Sequence, residues 1–378
     1  MLFGPPALEH PERAVLEAIE DVRQRLKRRL HLHEPRRWYG SLRRSQFARA
    51  VQGSNSIEGY TAAVDDTAAI DLGAEPFDAN EETRLAIKGY RDAMTYVLQL
   101  TSDEAFVYSE QLIKSLHFMM TGHDLHVRPG LWRPGAIFVR NEATGEVVYE
   151  GADIDAVPRL TQELVEHLNA PSDVSPMVRA AMAHLDLVMI HPFRDGNGRM
   201  ARCLQTLVLA REGILTPVFC SIEEYLGRNT EEYYRVLSEV GGSHWQPERD
   251  ARPWVRFCLT AHLRQAETTL RRVAESERLW EELEKLVLDK GLHGRTIPLL
   301  WDAAMGFRVR NATYRAMHED EITDQVAGRD LRLLVQVGLL VPHGEKRGRF
   351  YTAAPELQAK RREIVDGRGL RDDADPFA

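Results

Sequence analysis

The twelve residues His191 to Arg202, reading HPFRDGNGRMAR, constrain this chain more than any other stretch. A titratable ring, a carboxylate, two glycines around an amide and an arginine pair lie there between two apolar segments of helical character. The preceding run, Met177 to Ile190 (MVRAAMAHLDLVMI), has few breakers and enough apolar residues for a largely buried helix. Pro192 disfavours helical geometry at His191 and ends it. Gly196 and Gly198 permit positive φ and leave N–H groups unshielded, so Gly196, Asn197 and Gly198 can curl into a concave nest of donors. From Arg199 (RMARCLQTLVLARE) a second helix begins beside that nest, and polyphosphate is the natural guest of such a helix end.

Arg199 and Arg202 stand three positions apart, so they share a helical face and can meet one anion from one side. Asp195, just before the nest, is placed to hold a magnesium ion bridging phosphate oxygens, since that ion needs only one or two protein carboxylates. His191 is the nearby side chain that takes a proton at neutral pH. Together these residues describe a nucleotide site with a base.

The segment resembles the signature of the Fic family, His-Pro-Phe-any-Asp/Glu-Gly-Asn-Gly-Arg-any-any-Arg, at every specified position. The resemblance implies a mainly α fold: a Fic-type helical bundle with a β-hairpin flap. It also implies an enzyme that transfers AMP from ATP to a Ser, Thr or Tyr hydroxyl of a protein, the chain itself included. By position, His191 would deprotonate the hydroxyl and Asp195 would hold Mg2+. Gly196, Asn197 and Gly198 would bind phosphates, with Arg199 and Arg202 completing the grip.

Composition agrees with a multi-domain globular chain. Its 378 residues exceed one ordinary core, and 43% hydrophobic with 28% charged residues is the usual globular balance. A net charge of -8 argues against a wholesale nucleic-acid or membrane binder. No apolar run approaches a membrane span and the N-terminus lacks the order of a signal peptide, so a cytoplasmic location is the expectation. Cys203, Cys220 and Cys258 have no pairwise or metal-ligand spacing and are expected to be reduced and structural.

Pro11 to Leu30 reads as an amphipathic helix, and Gly40 to Gln52 as a second, followed by Gly53 and the run Ser54-Asn55-Ser56-Ile57-Glu58-Gly59. On its own physics that run is a helix terminus with a serine cap and a glycine exit. It also matches the Fic family's inhibitory pattern Ser/Thr-any-any-any-Glu-Gly/Asn, which implies roles for Ser54, Glu58 and Gly59. In that reading Glu58 pairs with Arg202 in place of the γ-phosphate, and a carboxylate and a phosphate compete for one guanidinium.

Residues 62–79 are rich in Asp, Ala, Gly and Pro and read as a loop-rich link. Glu81 to Leu100, Ser109 to Met120 and Ala156 to Asn169 read as helices. Between the last two, Ala136 to Val139 and Glu146 to Tyr149 are β-like runs about the turn formers Glu142, Ala143, Thr144 and Gly145, which predicts a hairpin. The resemblance makes it the flap that holds an extended stretch of target, with Ile137 as the residue that pins the target side chain. In the segment Ser221 to Leu237, Tyr233 and Tyr234 are candidates for the nucleobase pocket, with simple core packing the alternative reading.

Trp254 to Lys285 reads as a long helix whose charged second half suggests a solvated connector or a dimer-forming helix. Three short helices follow, Thr296 to Met305, Asn311 to His318 and Ile322 to Val337, then a hairpin from Leu340 to Thr352. This order resembles a small winged-helix (α+β) domain, with Lys346, Arg347 and Arg349 on its wing. Asp324 and Asp330 beside Arg329 and Arg332 give its recognition helix a mixed face, so DNA is not the favoured partner and docking to protein or to a second copy is equally expected.

The expected divisions are 1–100, a helical region carrying the inhibitory pattern; 101–265, the catalytic core; 266–290, a connector; 291–354, the winged-helix domain; and 355–378, a charged tail that reads as a short helix and then a loose end. Family resemblance makes a homodimer the expected assembly. Other readings of the same sequence are removal of AMP with Glu58 orienting a water, transfer of another nucleotide, and a DNA-binding regulator.

Overall fold

The computed structural model describes residues 1–31, 37–140, 145–215, 221–318, 321–369 and 374–377. Cys220, the turn residues Glu142, Ala143 and Thr144, and the side chain of Arg347 lie outside the described residues. Helices α1 (His10–His31) and α2 (Tyr39–Ile57) lead to a short α3 (Val64–Asp71), then to α4 (Glu81–Gln99) and α5 (Glu110–Thr121). Asn80 caps α4 by accepting the Thr83 N–H at 2.8 Å, and Ser109 caps α5 by accepting that of Leu112 at 3.1 Å. Strands β1 (Phe138–Arg140) and β2 (Val147–Glu150) pair antiparallel with Val139 opposite Tyr149, forming the expected hairpin.

Helices α6 (Val157–Asn169), α7 (Pro176–Ile190) and α8 (Asn197–Arg211) follow, then α9 (Glu223–Arg228), α10 (Thr230–Gly241) and the 38-residue α11 (Arg252–Asp289). Helix α7 is apolar on nearly every side and is the centre of the bundle, with Leu185, Leu187 and Ile190 fully buried. The Trp254 indole N–H of α11 donates to the Ala181 carbonyl of α7 at 2.7 Å, which ties the long helix to that centre. Beyond α11 come α12 (Ile297–Ala304), α13 (Asn311–Ala316) and α14 (Asp324–Gln336), a second antiparallel hairpin of β3 (Leu340–His343) and β4 (Phe350–Ala353), and α15 (Pro355–Asp366). No helix among the described residues is long and apolar enough to cross a membrane. Cys203 and Cys258 are buried and unpaired.

Four expectations are corrected. Helix α2 does not stop near Gln52 but continues through Gly53 and Ser54 to Ile57. Gly53 lies against α9 so closely that an added Cβ would sit 2.5 Å from the Glu223 carbonyl oxygen, and packing from outside the helix overrides the weak helix propensity of GSNS. The link 62–79 contains α3, because Asp66 is buried and accepts the amides of Phe77, Asp78 and Ala79. The second half of α11 is not solvated: Val273, Leu279, Trp280 and Leu283 are buried, and Arg29 of α1 pairs with Glu277 at 2.8 Å. The end of the chain is not loose at residues 374–377, since Arg264 donates to the Ala374 carbonyl and Arg256 lies over the Phe377 ring. In addition, Asp330 is withdrawn from the exposed face of α14 by a bidentate pair with Arg295 at 2.7 and 2.9 Å.

Replacing Gly53 by Ala tests the α2–α9 contact. Overpacking against backbone that cannot yield is expected to cost about 1–3 kcal/mol, read as a lower denaturant midpoint with an unchanged slope.

Candidate active site

Helix α7 ends because His191 takes a left-handed conformation, φ 55°, rare for a residue with a side chain. Arg133 holds it there. Its Nε donates to the His191 carbonyl at 2.8 Å, its amide donates to the Pro192 carbonyl at 2.9 Å, and its remaining nitrogens donate to the Gly135 and Ala152 carbonyls. The His191 Nδ1–H donates to the Val188 carbonyl at 3.0 Å, a bond that assigns the tautomer and leaves the Nε2 lone pair available. Burial lowers the His191 pKa below the ordinary imidazole value, against a smaller opposing effect of the Val188 bond. The ring is therefore a neutral base at pH 7.

The loop between α7 and α8 is held from inside. Asn197 makes a two-way pair with Phe193, its Oδ1 accepting the Phe193 N–H and its amide donating to the Phe193 carbonyl, both at 2.9 Å. Its side chain therefore shapes the loop, and what Asn197 can offer an anion is its backbone. His117 stacks flat on Phe193 with centroids 3.7 Å apart, accepts the Gly130 N–H at Nδ1 and donates from Nε2 to the Asp195 carbonyl, each at 2.9 Å. Burial pushes the His117 pKa down to about 4, so this tautomer persists at neutral pH. Gly196 has φ 74°, and a Cβ there would meet the Thr121 methyl at 3.0 Å. The first N–H groups of α8 have no partner within the helix, and Gly198 stands among them.

A carboxylate lies against this helix end. Glu58 Oε1 approaches Gly198 so closely that a Cβ there would clash with it, and it accepts from Arg202 Nη2 at 2.5 Å. Arg202 is only 1% exposed and is satisfied on every side: Nε donates to Ser54 Oγ at 2.8 Å, Nη2 to the Ser54 carbonyl at 3.0 Å and Nη1 to the Tyr233 hydroxyl at 3.4 Å. The Tyr233 hydroxyl continues a chain to His184 Nε2 at 3.0 Å, whose Nδ1–H donates to Gln205 Oε1 at 2.7 Å. Burial alone would raise the Glu58 pKa, but Arg202 and Arg199 outweigh it and the carboxyl stays below its usual range, ionised.

Arg199 is equally buried, yet its Nε and Nη1 have no hydrogen-bond partner. Its Nη2 lies 3.7 Å from Asp195, and the Tyr60 ring lies over the guanidinium at 4.9 Å. Two buried donors of a cation left open are costly unless an anion completes them. Asp195 itself is half exposed.

Of the other expected residues, Tyr233 is buried in an aromatic cluster with Trp254 and Phe257 and supports Arg202. Tyr234 is 49% exposed and donates to the Ile57 carbonyl at 3.3 Å, beside the end of α2. Ile137 flanks His191: a Cβ on Gly151 would lie 2.8 Å from the Ile137 Cγ2 and 3.1 Å from the His191 Cβ. Gly59, φ 84°, turns the chain out of α2 directly after Glu58. Sequence reasoning missed Arg133, His117, Tyr60 and the His184–Gln205 pair. The signal for His184 was a lone polar ring in the apolar run MVRAAMAHLDLVMI, but Arg133 and His117 carried none, because their partners are backbone groups, several of them distant in sequence.

Residues 107–209 match the model of the Fic/DOC family. The chain is 29% identical over 228 residues to the protein adenylyltransferase Fic of Nematostella vectensis, spanning 55% of this chain and 45% of that one. It is 27% identical over 260 residues to the protein adenylyltransferase fic-1 of Caenorhabditis elegans, spanning 67% and 46%. The chain thus spans just under half the length of these curated relatives. Among solved structures, a Fic family protein from Desulfovibrio desulfuricans G20 has the same fold along nearly the whole chain, with TM-score 0.58, 20% identity and coverage of 97% of this chain and 99% of that one. Residues 134–508 of C. elegans Fic-1 superpose with TM-score 0.55 at 26% identity over 70% and 73% of the two chains. Residues 107–209 are thus similar to the Fic/DOC family, and the bundle with its hairpin has the fold of these solved Fic proteins.

Replacing His117 by Phe keeps a ring on Phe193 but leaves the Asp195 carbonyl and the Gly130 amide unpaired. The expected cost is about 0.5–1.5 kcal/mol for each hydrogen bond lost from these partly buried groups, measured by denaturant unfolding.

Proposed function

We propose that this chain is a protein adenylyltransferase held inactive by its own Glu58. The observation that carries the reading is the set formed by a neutral His191 with Nε2 available, the open donors of Arg199 beside the α8 N-terminus, and Glu58 seated on Arg202 above Gly198. The names of the relatives, protein adenylyltransferase in both cases, support ATP as the donor and a protein as the acceptor.

In this reading the triphosphate lies across the α8 N-terminus, its terminal phosphates on Arg199 and Arg202 and on the amides of 197–199. His191 Nε2 takes the proton of a Ser, Thr or Tyr hydroxyl as that oxygen bonds to the α-phosphorus. The bond to the bridging oxygen breaks and pyrophosphate leaves with the electron pair. Asp195 is the carboxylate that would hold Mg2+, which when bound neutralises phosphate charge; a single half-exposed carboxylate fits an ion held mostly by substrate oxygens and water. The hairpin, with Phe138, Val147 and Val148 exposed and Ile137 beside His191, would align the target. Glu58 blocks the sequence at its start, because Arg202 cannot serve the γ-phosphate and a carboxylate at once.

Transfer of label from α-phosphate-labelled ATP with magnesium tests this. Glu58→Gly is expected to label itself or added protein where wild type does not, and Glu58→Gly with His191→Ala to fall ~10²- to 10⁴-fold below it. Absence of label in all three forms would reject AMP transfer and leave the reverse reaction or another nucleotide.

The pH profile gives a second check. Neutral His191 is the active form and its pKa lies below 6.5, so the acidic limb of the Glu58→Gly rate falls below pH 6.5. Loss of Glu58, which favours the protonated ring, moves the limb further down. A limb at or above 6.5 would remove His191 as the base.

A further inference from the structure

We propose that the module formed by α12 to β4 acts as the regulator of this site, through a latch in which Arg308 holds the segment that carries Glu58. The inference rests on the adenylyltransferase reading and names what governs it.

Arg308 precedes α13 and lies far from His191 in sequence, yet its guanidinium grips the stretch just after Glu58. Its Nε donates to Asp65 Oδ2 at 2.5 Å and Nη2 to Asp65 Oδ1 at 3.1 Å, Nη2 approaches Asp66 at 3.4 Å, Nη1 pairs with Asp78, and the Arg308 amide also donates to Asp65 at 3.1 Å. Phe77 is clamped beside this cluster, with the Arg308 and Arg310 guanidinium groups 4.3 and 3.7 Å from its ring and Phe350 of β4 edge-on at 5.6 Å. Arg310 also donates to the Glu75 carbonyl at 2.9 Å.

Asp65 and Asp66 are buried carboxylates in the first turn of α3. Without Arg308 they would lose their cationic partner in a place where water replaces it poorly, so the docked position of α3 depends on the module. Residues 59–63 alone separate α3 from Glu58, and they are tied to the end of α2, the Tyr60 amide donating to the Asn55 carbonyl at 3.1 Å and the Gln52 side-chain amide to the Ala62 carbonyl at 3.4 Å, so a shift of α3 is passed to the turn that carries the carboxylate. Helix α2 is held on the same side, its Gln46 accepting from Thr269 of α11 at 3.1 Å. Glu58 is therefore strung between two anchors, Arg202 in the core and Arg308 in the module. A ligand or partner that displaces the module from α3 shifts the equilibrium toward an open Arg202, and nucleotide bound at Arg202 loosens the latch in return.

The test uses full-length protein in four forms, wild type, Arg308→Ala, Glu58→Gly and the double variant, with Arg308→Lys and Asp78→Arg beside them. Label transfer and amide hydrogen exchange are measured on each. Arg308→Ala is expected to raise label transfer about 5-fold or more over wild type, at the lower end of coupling between sites. Exchange should quicken at 54–60 and 64–78 while α12 and β4 stay protected. Arg308→Lys, which keeps the charge but not the fork, should fall between. Asp78→Arg, an exposed change that cannot unfold the core, should reproduce the release. In the Glu58→Gly background Arg308→Ala should add less than about 2-fold, because no carboxylate remains to free.

Faster exchange at 64–78 with neither faster exchange at 54–60 nor more label would overturn the latch, as would an equal gain in both backgrounds. Should Glu58→Gly itself transfer no label, the adenylyltransferase reading fails, and the exchange at 54–60 still decides whether the module holds Glu58.

Discussion

A guanidinium with 1% of its surface exposed must be satisfied by its neighbours or it will not stay where it is, and the environment of Arg202 is built around that requirement. Ser54, Glu58 and Tyr233 each supply an oxygen, the first two from the end of α2 and the third from α10, far apart in sequence. Tyr233 is itself held by His184 and Gln205, so the arginine's direction is set by a hydrogen-bonded chain running into the core. Helix α2 docks where it does because its end satisfies this charge, and Gly53 is needed because the docked helix passes directly over α9. Fold and chemistry share one constraint here.

A second requirement sits beside it. An anion site made from backbone N–H groups works only if the loop cannot relax, and three groups prevent that by spending their polar atoms on the loop itself. Asn197 ties its ends, His117 braces it by stacking and two hydrogen bonds, and Arg133 secures the left-handed His191 through its carbonyl. Residues of the signature thus divide between those whose polar groups are left free and those that hold the others still. Arg199 is the exception: buried as deeply as Arg202, it keeps two donors without a partner while its neighbours are fully engaged.

The long helix α11 and the charges around it explain why the C-terminal module is not a separate bead on a linker. Charged residues that suggested a solvated surface instead meet partners on α1, α9 and α15, as Arg272 does with Glu224 and Arg361 and Arg368 do with Glu275. Side-chain charge marks exposure only when no opposite charge folds back onto it.

What the sequence by itself determined is what a few neighbouring residues encode. Apolar periodicity located α1, α4 to α8 and the helices beyond α11, the caps at Asn80 and Ser109 are local hydrogen bonds, and HPFRDGNGRMAR reads as a base, a carboxylate, a donor nest and two arginines because all of it lies within one turn and the start of the helix that follows. The pairing of Glu58 with Arg202 came from likeness to a family pattern, since the physics of SNSIEG alone reads as a helix end. Tertiary structure alone decided the rest: that α2 runs on to Ile57, that α3 exists, that Tyr233 faces inward and Tyr234 outward, and that Arg308 reaches back to Asp65. Each depends on a partner distant in sequence or on a backbone group, with an energy that appears only when the chain has closed on itself, and no period or short motif records such a partner in advance.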